Sequence, residues 1–324
     1  MLSTDPQLTI VGAVNGPVAA ERKLRETNPD VVLLNPEMER TNGLEFFKNL
    51  SRATTKPFVI VAGSSVQERE NAILALEFGA VEIIQKPTAI SFENFQEVTA
   101  EVSAAIKAAA GAMLNPKSLV NPETQRPYPL LHIGEAKIAK RFILLGGSIG
   151  FPALLLKIFT SVKRNIPGCV VVVHMPALFT KSLADRLNAL SPLEIREARN
   201  GDHIKDNQVL IIPGDCTGKI KKDSLGFFVH VSPKLSKDNQ PIDVLFSSAA
   251  EYVNSDMIAI LASGLGDDGS RGLLTLKKRG ATTIAQSVGT CRVAAMSKKA
   301  IDLEAAQMVC TPEEIIDYIN EKET

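Results

Sequence analysis

The chain has 324 residues, 45% of them hydrophobic, a length that sustains about two separate cores. Its 36 acidic and 36 basic residues cancel, which leaves no global positive field to hold nucleic acid or an anionic membrane surface. No apolar run reaches the roughly 20 residues that span a bilayer, and the opening MLSTDPQLTIVG has no basic or apolar signal region; a cytoplasmic protein without membrane insertion is expected.

From Leu8 to Pro87 short β-branched runs alternate with helical stretches: LTIVGAV, PVAAERKLRETN, DVVLLN, GLEFFKNLSRA, PFVIVAG, QERENAILALEFGA and VEIIQKP. That alternation predicts a parallel sheet covered by helices. An Ala-rich amphipathic helix, SFENFQEVTAEVSAAIKAAAGAML, follows, and then NPKSLVNPETQRPYPL, whose four prolines break regular structure. A first domain is therefore placed at 1–110, a linker at 111–138 and a second domain at 139–324. In the second domain FILLGGS, CVVVVHM, DNQVLIIPGD, GFFVHVSP, MIAILASG and ATTIAQ read as strands. PALLLKIFTSV, FTKSLADRLNAL, PIDVLFSSAAEYV, SRGLLTLKKRG and IIDYINEK read as helices. Continuous apolar runs are those of a parallel sheet buried on both faces, so the fold class is α/β with two doubly wound parallel-sheet domains.

Four dispersed cysteines (Cys169, Cys216, Cys291, Cys310) without CxxC spacing, and four histidines without HxxxH or HExxH spacing, predict no disulfide framework, no metal and no cofactor. Three strand ends of the second domain carry chemistry, where an open α/β sheet forms its crevice. GGSIG sets Ser148 in a sharp strand-to-helix turn suited to a nucleophile. VVVHMP ends an apolar strand on His174, a candidate base. ASGLGDDG offers Asp267 or Asp268 to orient the imidazole. A dinucleotide fold is disfavoured because GGSIGF breaks GxGxxG and the next strand ends in His174 instead of an acid. The Ser, acid, His order of α/β-hydrolases would need His203 or His230, which lie in a polar NGDHI turn and inside FFVHV.

From about Lys140 onward the chain resembles the chemotaxis protein-glutamate methylesterases, in GGSIG, HMPALFTKSLADRL, PIDVLFSSAAE, ASGLGDDGSRGLL and GATTIAQSVGTCRVAAMSKKAI. The resemblance implies a catalytic Ser148, His174 and Asp268, the second acid of the pair. It also implies hydrolysis of glutamyl methyl esters on chemoreceptor cytoplasmic helices, together with deamidation of receptor glutamines. Gly147 and Ile149 beside the serine, and Leu265 and Gly266 in the aspartate loop, are the expected oxyanion segments. Departures from the family pattern are Ile149, Gly150 and Phe151 after the serine, which predict a bulkier rim lacking a hydroxyl. Ser287 and Val288 replace an acidic pair, and no histidine stands near Thr217. A non-catalytic receptor-array binding protein and a general esterase are the competing functions.

The first domain resembles a response-regulator receiver, in NPDVVLLNPEMERTNGLEFF and ALEFGAVEIIQKP. A working receiver needs acids for Mg²⁺, a phospho-accepting aspartate, a hydroxyl residue and a lysine. Asn35 stands at the acceptor position and Ala62 at the hydroxyl position; Lys86 is retained, and the first strand with its acids is not in the sequence. No acyl-phosphate switch is expected. The missing strand predicts a repacked sheet edge, a homo-oligomeric contact that covers it, or an incorrectly assigned start codon.

Overall fold

The computed structural model describes residues 2–38, 41–87, 95–113, 137–234, 240–253 and 257–322. The chain divides into two compact units, Met1–Pro122 and Glu123–Thr324. Most of the expected linker lies outside the described residues.

In the first unit, beside a two-residue antiparallel pair of Glu37–Met38 with Thr41–Asn42, the main elements are α1 (Pro17–Thr27), β1 (Val32–Leu34), α2 (Gly43–Ala53), β2 (Phe58–Ala62), α3 (Val66–Glu77), β3 (Glu82–Gln85) and α4 (Phe95–Ala110). The three strands form a parallel sheet in the order β1-β2-β3. β2 is central because it is apolar on both faces: Phe58, Val59, Ile60 and Ala62 are all buried. α2 presents Phe46, Phe47 and Leu50 to this core, and the Phe47 ring meets Phe58 edge-on at 5.2 Å. Ser65 begins α3 with a capping box, its hydroxyl accepting from the Glu68 amide while the Glu68 carboxylate accepts from the Ser65 amide.

LTIVGAV is not a strand in the structure; Ile10, Val11 and Val14 are exposed along an irregular segment. The sequence pattern is that of a strand, but the segment pairs with nothing: β1 pairs only with β2, and its outer edge is not filled by these residues. Periodicity marks the capacity to pair and does not supply the partner.

The second unit contains β4 (Phe142–Gly147), α5 (Phe151–Ser161), β5 (Gly168–Val173), α6 (Ala177–Leu190), β6 (Glu194–Glu197), β7 (Asp202–His203), β8 (Gln208–Ile211), β9 (Cys216–Lys222) and β10 (Phe227–Pro233). After these come α7 (Pro241–Ala249), β11 (Ile258–Leu261), α8 (Ser270–Lys278), β12 (Thr282–Gln286), α9 (Ala295–Asp302), β13 (Met308–Cys310) and α10 (Pro312–Asn320). Seven strands make a wholly parallel sheet in the order β13-β12-β11-β4-β5-β8-β6. Every residue of β4 and β5 is buried, which explains their unbroken apolar runs. Each large side chain taken fully out of water there contributes roughly 1.5–3 kcal/mol.

From β4 the chain first winds outward to β5, β6 and β8, and later returns on the other side to β11, β12 and β13. The winding reverses between β4 and β11, where a doubly wound sheet opens its crevice. GFFVHVSP is a strand, as read from sequence, but it belongs to a separate antiparallel sheet, β9-β10-β7. β6, β7, β9, β13 and α9 have no counterpart among the elements expected from sequence, where NGDHI reads as a turn. β6 is the short, polar edge strand EIRE, and β9 alternates buried and charged residues, so neither has the continuous apolar run of the central strands.

Candidate active site

Backbone register brings three strand ends to one level. The Ala262 amide donates to the Gly146 carbonyl at 2.9 Å and the His174 amide to the Gly147 carbonyl at 3.0 Å. Ser148 in turn donates its amide to the Ser263 carbonyl at 2.9 Å. The Gly146–Gly147–Ser148 turn, His174 and the loop after β11 are therefore neighbours by virtue of the sheet itself.

Asp268 is almost completely buried and is anchored by the start of α7. Its Oδ2 accepts from the Ile242 amide at 3.0 Å and its Oδ1 from the Asp243 amide at 2.9 Å. Pro241 opens that helix, so the two amides are among those a helix N-terminus leaves without internal partners, and a carboxylate is favoured there. Oδ2 also meets His174 Nε2 at 2.7 Å. The imidazole, one third exposed, thus has one nitrogen fixed by a buried carboxylate. Asp267 faces elsewhere: its Oδ1 accepts from Gln240 Nε2 at 3.4 Å.

Ser148 is 8% exposed, and its hydroxyl makes no hydrogen bond among the described residues. The serine-to-imidazole hydrogen bond of a fully assembled triad is not formed in this structure. His174 Nδ1 is likewise without a hydrogen-bond partner among the described residues, so both groups have the capacity to engage one another or a substrate.

Close approach around the serine depends on residues without side chains. A Cβ on Gly264 would lie 2.8 Å from Ser148 Cβ and 2.3 Å from Met296 Sδ. Gly150, the residue before α5, has φ +86°, a left-handed conformation that turns the chain sharply behind the serine. Ser263 stitches the loops together: its hydroxyl donates to Ile149 O at 2.7 Å and accepts from the Val293 amide at 3.1 Å. Gln286 Oε1 accepts the Ser263 amide at 3.0 Å. Gln286 and Ser263 escaped the sequence reading; their positions at neighbouring strand ends were visible, but their cross-loop bonds were not.

Of the expected oxyanion segments, Gly147 uses its carbonyl to align His174. The amides of Ile149, Leu265 and Gly266 donate to no group among the described residues, and Gly266 (φ +85°) borders open space. The rim does not gain the bulk expected from Phe151. That ring is fully buried and lies beneath Gly147, where a Cβ would come within 2.4 Å of it. Ile149 is buried too, so the departures from the family pattern turn inward and are absorbed by packing. Val288 opens a short 3₁₀ turn that Ser287 precedes, with the Ser287 hydroxyl 3.0 Å from that of Thr290. The Thr217 hydroxyl is engaged within the antiparallel sheet, 3.2 Å from that of Ser232. His203 pairs with Asp223 at 3.1 Å in that sheet, and His230 lies within β10 opposite Lys219.

The other strand-end cluster lies in the first unit. Asn35, after β1, accepts the Glu37 amide on its Oδ1 at 2.9 Å. Ala62 is fully buried, and its carbonyl accepts the amide of the exposed Lys86 at 2.7 Å. The acid that matters here was not singled out from sequence: Glu68 folds back to accept from the amides of Gly63 at 2.9 Å and Ser65 at 3.1 Å. The Ser65 hydroxyl, those amides and a hydrogen bond from Glu37 hold Glu68 below the usual carboxylate range. The shared bond with Glu68, followed by burial, raises Glu37, while Lys86 draws it down. The free amides at the end of β2 are thereby occupied by a carboxylate of the chain itself.

The model of the CheB methylesterase family matches residues 143–319, and that of the response regulator receiver domain matches residues 1–94. A protein-glutamate methylesterase/protein-glutamine glutaminase of Pseudomonas savastanoi pv. phaseolicola is 35% identical over 97% of this chain and 92% of its own length. Its counterpart in Pseudomonas syringae pv. tomato is 36% identical with the same coverage. The crystal structure of the Thermotoga maritima CheB methylesterase catalytic domain superposes with a TM-score of 0.53 at 35% identity, covering 56% of this chain and 97% of that domain. Among the described residues, no helix is long and apolar enough to cross a membrane.

Proposed function

The chain belongs to the CheB methylesterase family, and from that premise we propose that its second unit hydrolyses glutamyl methyl esters of chemoreceptor cytoplasmic helices and deamidates glutamines there, acting in the cytoplasm. The observation that carries the reading is the 2.7 Å bond between His174 and a buried Asp268, one strand away from the turn that carries Ser148.

In this reaction His174 Nδ1 takes the Ser148 proton as Oγ bonds to the ester carbonyl carbon. Asp268 accepts from Nε2–H, holds that tautomer and stabilises the imidazolium. The free amides of Ile149, Leu265 and Gly266 are the candidate donors to the oxyanion, each such contact typically worth about 3 kcal/mol. As the tetrahedral intermediate collapses, the bond to the methoxy oxygen breaks and His174 returns the proton to it, releasing methanol. Water, deprotonated by the same imidazole, then cleaves the acyl-serine to give the glutamate. With a glutamine substrate the leaving group is ammonia.

Ser148→Ala should reduce methanol release from methylated receptor by about 10⁴-fold or more, while His174→Gln should act on the same step. Unchanged methanol release by the Ser148→Ala protein sinks the proposal. Hydrolysis of short acyl esters with none on receptor would replace it by a general esterase. Receptor binding without Ser148-dependent hydrolysis would replace it by a non-catalytic docking protein.

A further inference from the structure

Beside the proposed catalytic groups stands a cation that the reaction as described does not use. Lys234 follows β10, and its backbone amide is tied to the Asp215 carbonyl at 2.9 Å. Its Nζ donates to the Gly214 carbonyl at 2.7 Å. Gly214 is packed against the segment that leaves His174: a Cβ there would sit 2.2 Å from Met175 O and 2.9 Å from Ala177 N. The ammonium is therefore tied, through Gly214, to the segment that follows the imidazole. It is half-buried, which pulls its pKa below the ordinary lysine value, while Asp268, Asp215 and Cys216 act on it in the opposite sense.

The described groups facing Lys234 do not neutralise it by contact. Among the described residues, no carboxylate lies within ion-pairing distance of Nζ. Both Asp268 oxygens are occupied by the α7 amides, with His174 also on Oδ2. Cys216 is kept a neutral thiol by burial and by Asp215, its pKa pushed up to about 11, and its Sγ lies 3.4 Å from Asp215 Oδ1. An ammonium has three donors, and one carbonyl uses one of them. Removing such a charge from water is costly unless an anion or further acceptors repay it.

We propose that Lys234 is a specificity-determining residue that binds a carboxylate on the same polypeptide segment as the reacting ester. The inference rests on the methylesterase reading. A glutamyl methyl ester is neutral and offers the crevice no charge, so an adjacent acidic side chain would supply the orientation that the ester cannot. Lysine acts here as a compact point charge on a side chain pinned to the Gly214 carbonyl, so one neighbouring carboxylate can complete it without new loop structure. The contact is a substrate-binding one, and Lys234 takes no part in moving the proton.

The test uses the full chain and two synthetic peptides that carry one glutamyl γ-methyl ester, flanked either by glutamates or by glutamines. The wild type should favour the glutamate-flanked peptide by about tenfold in KM with similar kcat, the scale of one partly desolvated charge-assisted contact. Lys234→Gln keeps a donor for Gly214 but removes the charge, and it should erase the ratio; Lys234→Arg should retain most of it. A wild type without preference, or a Lys234→Gln protein weakened equally on both peptides, overturns the proposal and makes the lysine a structural tie. Binding of the two peptides to Ser148→Ala, followed by fluorescence anisotropy, reads the same ratio without turnover. If hydrolysis fails but this preference holds, the catalytic reading falls and the carboxylate contact stands; if hydrolysis proceeds without preference, the reverse is true.

Discussion

The two units place comparable material at the carboxyl ends of parallel strands and put it to opposite use. In the second unit Asp268 is drawn away from solvent by α7 amides and presents its remaining reach to His174, while the Ser148 hydroxyl stays unengaged among the described residues. In the first, the Glu68 carboxylate turns back on the amides that follow β2, and the Asn35 amide oxygen closes on its own backbone. One strand edge holds polar groups ready with their partners missing; the other has satisfied them internally. A parallel sheet supplies the location, but whether a location is reactive depends on which side chains are left with unused hydrogen-bonding capacity.

The sharpest way to break this contrast is at Asp268. Asp268→Asn keeps the shape but removes the charge that favours the right imidazole tautomer, so kcat should fall by about 10³–10⁴-fold with little change in KM, measured by methanol release. A variant within tenfold of wild type would show that the buried bond is structural. Next in size is the packing behind the serine. Gly147→Ala forces a methyl group against the Phe151 ring, and chemical denaturation should register a loss of about 1–3 kcal/mol. Adding Phe151→Leu should recover part of it, a non-additivity that a double-mutant cycle would expose.

On the other side of the comparison, acetyl phosphate should not label the wild-type first unit, because Asn35 is not an acyl-phosphate acceptor and Glu68 fills the amides after β2. Asn35→Asp alone should also remain unlabelled, with radiolabel incorporation as the readout. Stoichiometric labelling of either protein would mean that this edge is as available as the one in the second unit. A pH effect in the first unit concerns Glu82, whose pKa burial raises to about 8, with the Ile83 amide opposing the rise and Glu101 adding to it. A carboxyl raised in the folded state stabilises fully below its unfolded value and loses that stabilisation as pH climbs through about 8. The melting temperature of the first unit should therefore decline between about pH 5 and pH 8, and Glu82→Gln should flatten the slope. An unchanged slope would remove Glu82 as its source.

Much of this arrangement is legible in the sequence because strands buried on both faces write themselves as unbroken apolar runs, and FILLGG and CVVVV do so. The polar residue that ends such a run is then conspicuous, which is how Ser148 and His174 stand out. Choosing Asp268 over Asp267 needed the family resemblance, since spacing is indifferent between adjacent acids. LTIVGAV shows the limit in the other direction: a segment with strand composition stays irregular and unpaired even though β1 pairs on one side only. Glu68, Ser263, Gln286 and Lys234 were illegible for a further reason. Their roles arise from where long or hydroxyl side chains bend across loops, and a linear pattern carries no record of that bending.

The fit between Gly147 and the ring of Phe151 also constrains how this segment can change over time. Because the aromatic group occupies the volume that any β-carbon at 147 would need, a larger residue at 147 becomes tolerable only after 151 has been trimmed. Trimming 151 first leaves a void beneath the turn. Both routes between alternative forms of the loop pass through a less stable intermediate, so the two sites should be inherited as a pair.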